Sequence, residues 1–126
     1  MAERPLEGRS ILILEDEFLI AMDIEQICLD WGAEQTTIIG SLAQLGGDPF
    51  VEHSFDAAIL DLRLGGESTL GFAKALSDRG LPFVFATGMT DPVEIARSFP
   101  GVPIVSKPYS GDSLIRNLSE VMGRAA

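Results

Sequence analysis

Apolar residues along the chain are grouped into five short continuous runs, and a segment with helical periodicity follows each run. The runs lie at residues 10–15, 35–39, 57–61, 82–86 and 102–105. Continuous apolar runs, in contrast to alternating ones, are typical of parallel strands that are covered by helices on both faces. Five strand–helix repeats therefore predict an α/β fold: a doubly wound, five-stranded parallel sheet with five helices.

The first helical segment is predicted from Glu17 to Trp31, with Gly32 as its C-terminal stop. One of its faces is apolar at helical spacing and is expected to pack on the sheet: Ile20, Ile24, Ile27, Cys28 and Trp31. Phe18, Met22 and Leu29 fall roughly opposite and form what we call the outer stripe. The outer stripe is a candidate docking surface, although scattered exposed apolar residues are also common without one.

The remaining helical segments differ in the strength of their pattern. The second begins near Ser41 and is expected to be short or broken, because residues 46–49 read Gly-Gly-Asp-Pro. The others are predicted at 68–78, from 91–92 to 99, and at 111–122. The last of them has a continuous apolar face that should be buried: Leu114, Ile115, Leu118, Val121 and Met122.

Composition narrows the possible classes of function. The 126 residues, 46% of them apolar, are expected to form one domain with its core at about 10–122 and no output domain. A net charge of −10 argues against binding to nucleic acid phosphates. The chain shows no apolar run long enough to span a membrane and no secretion signal, and its single Cys28 cannot form an internal disulfide. A cytoplasmic protein that does not bind membranes is therefore expected.

Polar residues that suit phosphoryl chemistry follow four of the predicted strands. They are Glu15 and Asp16 after the first strand, Asp61 at the end of the third, Thr87 after the fourth and Lys107 after the fifth. In an open α/β sheet, ligands bind beyond the carboxyl ends of the strands, where the winding changes direction. A strand order of 2-1-3-4-5 brings the three acids together at that point.

Three carboxylates in one cleft repel each other unless a cation or a proton offsets their charge. Oxygen ligands without His or Cys favour Mg²⁺. With Mg²⁺ bound, Asp61 can attack an electrophilic phosphorus and form an acyl phosphate. Lys107 supplies a compact ammonium and Thr87 a hydroxyl donor for the phosphoryl oxygens.

The chain resembles the receiver domains of response regulators, which have the flavodoxin-like or CheY-like fold, over essentially all of residues 10–122. The residues that carry the resemblance are Ile11-Leu12-Ile13-Leu14-Glu15-Asp16-Glu17, Ile59-Leu60-Asp61-Leu62, Phe85-Ala86-Thr87-Gly88 and Ser106-Lys107-Pro108-Tyr109. The resemblance implies that Asp61 is the phosphoacceptor, with autophosphatase activity at most, and that Thr87 and Lys107 bind the phosphoryl group. It also implies an Mg²⁺ site formed by Asp16 directly, Glu15 through water, Asp61, and the backbone carbonyl of Arg63.

Two positions depart from the common receiver pattern. Gly88 follows Thr87, where a small residue, most often Ala, is usual. Ile104 stands three residues before Lys107, where receivers normally carry a switch aromatic. The string Phe85-Ala86-Thr87-Gly88 is similar to that of the FATGUY subgroup, whose members are often stand-alone domains. The resemblance implies a histidine kinase of the HWE or HisKA2 class, or a histidine phosphotransfer protein, as the partner.

The surroundings of the acceptor and the outer stripe suggest further roles. Arg63, two residues after Asp61, is positioned to hold phosphoryl oxygens or to shield the acyl phosphate from water; a solvated arginine is the alternative. Because the outer stripe begins directly after the acidic pair, it is expected to be the kinase-docking face. A phosphate sink, a shuttle and a phosphorylation-dependent adaptor all remain open as the output.

Two other classes of function are considered. Phosphatases of the dehalogenase type also use a strand-end Asp with Mg²⁺, but they carry a second Asp two residues later, where this chain has Arg63. A non-phosphorylated binding module, either a pseudoreceiver or a flavodoxin-like cofactor binder, is the other alternative. No glycine-rich phosphate loop follows the first strand, and the acidic pair, Asp61 and Lys107 are all present, which argues against such a module.

Overall fold

The fold is that of a computed structural model, which describes residues 6–45, 55–87, 93–106 and 111–125. Its main sheet has five parallel strands: β1 Ser10–Leu14, β2 Gln35–Ile39, β3 Ala57–Leu60, β4 Phe83–Thr87 and β5 Ile104–Ser106. They are arranged in the order β2-β1-β3-β4-β5. The predicted parallel sheet and its strand order are confirmed.

Helical segments follow the strands as predicted. The α-helices are α1 Phe18–Asp30, α2 Leu70–Asp78, α3 Val93–Ser98 and α4 Gly111–Ala125. After β2 the described chain forms a 3-10 helix, Leu42–Leu45, and the predicted interruption at 46–49 lies outside the described residues. Among the described residues, no helix has both the length and the apolar character needed to cross a bilayer.

Each strand contributes alternate side chains to the two faces of the sheet, because successive residues of a strand point in opposite directions. In β1, Ile11 and Ile13 pack in one core with α1 and α4, whereas Leu12 and Leu14 pack in the other with α2 and α3. The predicted inner faces of α1 and α4 are both in the first core. Burial on both faces explains why the strands are continuous apolar runs.

Glycines end α1 and α2 in the same way. Gly32, with φ +105°, follows the C-cap Trp31, and the N–H of Ala33 donates to the carbonyl of Cys28 at 3.0 Å. Gly80, with φ +69°, follows α2, and Leu81 donates to Leu76 at 3.0 Å. Both are Schellman motifs, in which a glycine in the left-handed region lets the chain turn back over the last helical carbonyls. The predicted stop at Gly32 is confirmed.

A small antiparallel hairpin lies between β3 and α2 and was not predicted. Arg63–Leu64 pairs with Glu67–Ser68, and the turn is made by Gly65 and Gly66 at φ +58° and +86°. Because Glu67–Ser68 belongs to this hairpin, α2 begins at Leu70, two residues later than predicted. The hairpin lies directly after Asp61 and is therefore part of the surroundings of the candidate site.

Candidate functional site

The ends of β1 and β3 bring three acidic side chains together. Leu14 and Leu60 are register partners, so the residues that follow them leave the sheet side by side. The N–H of Glu15 donates to Ile39 of β2 at 3.1 Å, and the N–H of Asp61 donates to Leu14 at 3.0 Å. The backbone of the acids is therefore fixed by the sheet.

Glu15, Asp16 and Asp61 each offer a carboxylate oxygen, and these oxygens all lie within 4.8 Å of one another. Their exposure differs: Glu15 is buried, Asp61 is partly exposed and Asp16 is exposed. The Glu15 carboxylate accepts a hydrogen bond from the N–H of Glu17 at 3.2 Å. The cluster is thus closed at its base and open on the side of Asp61 and Asp16.

The donor set of this cluster fits a hard divalent cation. All three ligand atoms are carboxylate oxygens, and they are close enough together to be bridged by one ion. Mg²⁺ prefers such oxygens and keeps several waters, whereas zinc and copper sites normally contain nitrogen or sulfur ligands. A cation here would also offset the repulsion between three like charges. The cluster that was predicted from the strand ends is therefore present.

The chain that follows Asp61, from Leu62 into the hairpin, donates hydrogen bonds to the carboxylates of Asp61 and Asp16. The N–H of Leu62 donates to Oδ1 of Asp61 at 2.7 Å, and the N–H of Gly65 in the turn donates to Oδ2 of Asp16 at 2.9 Å. The Thr69 hydroxyl donates to the backbone carbonyl of Asp61 at 2.6 Å. The carboxylates of Asp61 and Asp16 are therefore held by main-chain donors from the segment that links β3 to α2.

Arg63 starts the hairpin, with an exposed side chain. Its guanidinium Nη1 donates to the carbonyl of Gly66 at 3.0 Å, across the turn. The side chain therefore lies along the hairpin in this structure. A role for it beside a phosphoryl group requires a rotation away from Gly66.

The other predicted site residues lie at the edge of the described chain. Thr87 is the last residue of β4, and its register partner in β5 is Ser106, the residue before Lys107. Gly88 and Lys107 lie outside the described residues. The ends of β4 and β5 thus lie at the same edge of the sheet as the acidic cluster, because all five strands are parallel.

Three of the aromatic residues on the α2–α3 face of the sheet, two on β4 and one after α3, contact one another. Phe83, Phe85 and Phe99 form a cluster with ring centroids 5.6 to 6.0 Å apart and steep interplanar angles. Ile104 of β5 is the register partner of Phe85 and packs against the same core. The departure noted in the sequence at Ile104 is therefore accompanied by an aromatic cluster on the neighbouring strand.

The outer stripe of α1 is exposed as predicted. Phe18 is 72% exposed, Met22 46% and Leu29 40%. Leu19, which is not part of the predicted outer stripe, is 81% exposed and extends this surface. Because α1 begins two residues after Asp16, the apolar surface lies beside the acidic cluster.

Sequence reasoning missed two residues of the site, Gly65 and Thr69. Gly65 falls outside every predicted strand and helix, and Thr69 falls inside the helical segment predicted at 68–78. A Thr just before an apolar helical run is a recognisable N-cap signal, so the start of α2 at Leu70 could have been found. The bond from its hydroxyl back to Asp61 could not, because it depends on the geometry of the hairpin.

The sequence matches no known protein family model and no curated protein sequence. Solved structures with a similar fold do exist. A response regulator receiver protein from Sinorhizobium medicae superposes with a TM-score of 0.82 at 23% identity, covering 96% of this chain and 99% of that one. A putative response regulator from Chloroflexus aurantiacus gives 0.75 at 21% identity, with 94% and 100% covered.

A Francisella response regulator receiver domain gives a TM-score of 0.76 at 18% identity, covering 94% of this chain and all of that one. In all three cases the alignment runs over nearly the whole length of both chains. At these identities the likeness concerns the fold alone. This chain therefore has the fold of a response-regulator receiver domain.

Proposed function

We propose that this chain is a stand-alone response regulator, in which Asp61 accepts a phosphoryl group from a histidine kinase in two-component signalling. The observation that carries the proposal is the cluster of Glu15, Asp16 and Asp61, whose oxygens lie within 4.8 Å at the carboxyl edge of a receiver-fold sheet. Asp61 is partly exposed whereas Glu15 is buried. Asp16 is also accessible, so Asp61 is chosen between the two because the resemblance to receiver domains makes it the phosphoacceptor.

In the proposed reaction an oxygen of Asp61 forms a bond to phosphorus while the bond from phosphorus to the imidazole nitrogen of the donor breaks. The electron pair of the broken bond stays on the imidazole, which takes up a proton. Asp16, Asp61 and the carbonyl of Arg63 would hold Mg²⁺ directly and Glu15 would hold it through water, and the ion would offset negative charge on the phosphoryl oxygens. Lys107 and Thr87 are proposed to bind the same oxygens.

The direct test is incubation of the protein with Mg²⁺ and acetyl phosphate, followed by intact mass measurement. We expect a mass gain of about 80 Da, the size of one phosphoryl group, which Asp61→Asn abolishes. Asp78→Asn is a matched control, because Asp78 is exposed on α2 and pairs with Lys74. A mass gain that survives in Asp61→Asn, or no gain in the unaltered protein, would contradict the proposal.

The outer stripe, extended by Leu19, is proposed as the surface on which the kinase or a histidine phosphotransfer protein docks. Its support is the exposure of Phe18 and Leu19, at 72% and 81%, directly after the acidic pair. A partner that covers these side chains brings its phosphohistidine close to Asp61. The resemblance to the FATGUY subgroup points to a kinase of the HWE or HisKA2 class.

The docking role is tested by separating partner-dependent from partner-independent phosphorylation. The double variant Phe18→Ala/Met22→Ala should accept phosphoryl groups more slowly from purified HWE or HisKA2 kinases of the source organism. Its phosphorylation by acetyl phosphate should be unchanged. Lys74→Ala, on α2, serves as an exposed control. Equal effects on both donors would argue against docking at the outer stripe.

Arg63 and Gly88 are proposed to border the phosphoryl group. The guanidinium of Arg63 would leave Gly66 and either hold a phosphoryl oxygen or shield the acyl phosphate from water. In either case Arg63→Ala should change the rate at which the phosphorylated protein hydrolyses. A rate equal to that of the unaltered protein would remove this part of the proposal.

An enzyme of the dehalogenase type is the main competing class. Such a phosphatase needs an acid two residues after its nucleophile, and that position is Arg63, whose guanidinium bonds to Gly66. Repeated turnover of a phosphate ester such as p-nitrophenyl phosphate would favour the enzyme. Absence of any phosphorylated species, without turnover, would favour a pseudoreceiver. If Asp61 takes up one phosphoryl group and no further turnover follows, the result supports a cytoplasmic phosphate sink, shuttle or adaptor.

A further inference from the structure

Thr69 is a polar residue with no exposed surface, next to the candidate site. It occupies the N-cap position of α2, where a threonine hydroxyl commonly accepts a hydrogen bond from the first turn of the helix. Its side chain makes no such bond. The hydroxyl instead donates to the backbone carbonyl of Asp61 at 2.6 Å. The Thr69 hydroxyl therefore does not cap the helix and bonds to the backbone of the acidic site.

This contact acts on the peptide group between Asp61 and Leu62. The carbonyl of Asp61 and the N–H of Leu62 belong to the same planar unit. The carbonyl accepts the Thr69 hydroxyl, and the N–H donates to Oδ1 of the Asp61 side chain at 2.7 Å. Rotation of that peptide would break both bonds together. A bond to the carbonyl also polarises the peptide and strengthens its N–H as a donor.

The other side of the same segment is fixed as well. The N–H of Asp61 donates to Leu14 of β1, and the N–H of Thr69 donates to the carbonyl of Leu62 at 3.0 Å. The backbone N–H of Asp61 is therefore held by β1, and its backbone carbonyl is held by Thr69. Because Thr69 is buried, water does not compete for the Asp61 carbonyl from that direction.

We propose that Thr69 is a positioning residue for Asp61: its buried hydroxyl fixes the peptide that holds the Asp61 carboxylate toward the acidic cluster. The inference rests on the proposed function for the importance of Asp61, but the contact itself can be measured without phosphorylation. A buried hydrogen bond of this kind corresponds to roughly a tenfold effect on an equilibrium or a rate.

Two variants separate the hydroxyl from the shape of the side chain. Thr69→Val removes the hydroxyl and keeps the volume, whereas Thr69→Ser keeps the hydroxyl and removes the methyl group. The amide resonance of Leu62 in ¹⁵N-labelled protein should move and exchange faster with solvent in Thr69→Val, and stay near its original position in Thr69→Ser. Affinity for Mg²⁺, measured by calorimetry, should fall roughly tenfold in Thr69→Val and little in Thr69→Ser.

The rate of phosphorylation by acetyl phosphate at saturating Mg²⁺ should follow the same order. Leu76→Ala is the control for general loss of stability, because Leu76 is buried in α2 and its apolar side chain forms no hydrogen bond to Asp61. Thr69→Ala provides a second variant without the hydroxyl if Thr69→Val does not fold. Equal behaviour of the Ser and Val variants, or losses in Leu76→Ala as large as those in Thr69→Val, would overturn the inference.

The two proposals fail in different ways. If the unaltered protein is not phosphorylated but the Leu62 resonance and Mg²⁺ affinity still separate the Val from the Ser variant, the phosphoacceptor role is lost and the positioning role stands. If the protein is phosphorylated and the two variants are alike in every measurement, the positioning role is lost and the phosphoacceptor role stands.

Discussion

At the scale of single residues, the Cys28 thiol shows what burial does to a reactive group in this fold. Cys28 lies on the inner face of α1 with no exposed surface. Burial, with a further contribution from the nearby charge of Glu25, raises the pKa of the thiol to about 12. The thiolate, which is the reactive form, is therefore absent at neutral pH, and Cys28 acts as an apolar core side chain.

The raised pKa of Cys28 predicts a pH dependence of stability. In the unfolded chain the thiol loses its proton near pH 8.5, whereas the folded protein keeps it to about 12. The folded state therefore binds the proton more tightly. The stability that Cys28 contributes through this tighter binding is fully present below about pH 8.5. It is lost as the pH rises toward the folded pKa of about 12, by up to about 1.4 kcal/mol per pH unit.

Urea unfolding of the unaltered protein and of Cys28→Ala between pH 7 and pH 11 measures this effect. The free energy of unfolding of the unaltered protein, relative to that of Cys28→Ala, should fall steadily as the pH rises above about 8.5. Other groups that titrate in this range affect both proteins and cancel in the difference. A difference that stays constant over the whole range would show that Cys28 ionises alike in both states.

At the scale of elements, the aromatic cluster ties β4 to the segment after α3. Phe85 has no exposed surface and contacts both Phe83 and Phe99 through steeply inclined rings. Such edge-to-face pairs add to stability beyond the area that they bury. The cluster is therefore one of the contacts that hold the chain after α3 against the sheet.

A double-mutant cycle on this cluster predicts a measurable coupling. Phe85→Leu and Phe99→Leu each remove one ring and keep an apolar side chain in place. The free energies of unfolding should show a coupling of about 0.5–1.5 kcal/mol between the two positions. Phe85→Leu with Ile13→Val, a pair on opposite faces of the sheet, is the control and should be additive. Additivity within the Phe85–Phe99 pair would show that the rings contribute only buried area.

The elements also show what could be predicted from the sequence. The strands were predicted from continuous apolar runs, and the inner faces of α1 and α4 from helical periodicity, whereas the strand order was assumed for a doubly wound sheet. The hairpin at Arg63–Ser68 could not be found in this way, because two-residue strands have no period. Leu19 was missed because it lies about 100° around α1 from Phe18, outside the outer stripe. The bond from Thr69 to Asp61 depends on that unpredicted hairpin.

At the scale of the whole molecule, the negative net charge adds to the repulsion within the acidic cluster. The chain carries a net charge of −10, and three carboxylates with oxygens within 4.8 Å add local repulsion to it. Such repulsion destabilises a compact state, and a bound cation relieves it. The stability of the protein is therefore expected to depend on divalent cations more than on salt in general.

Thermal unfolding with and without Mg²⁺ tests this expectation. At a concentration 100 times the dissociation constant, Mg²⁺ should stabilise the folded state by about 2.7 kcal/mol. NaCl at equal ionic strength should do much less. Asp61→Asn should be more stable than the unaltered protein without Mg²⁺ and should respond less to it. An equal response to Mg²⁺ and NaCl would show that no specific cation site exists.

The position of Trp31 at the C-cap of α1 determines what the natural fluorescence of this protein reports. Trp31 is the single tryptophan, and the acidic cluster lies just before the other end of the same helix, which has 13 residues. At 1.5 Å per residue the helix separates them by about 20 Å. Indole emission should therefore follow unfolding of the α1–sheet contact and stay constant as the site fills. One optical signal can thus record stability throughout a titration with metal or phosphodonor, free of quenching from the ligand.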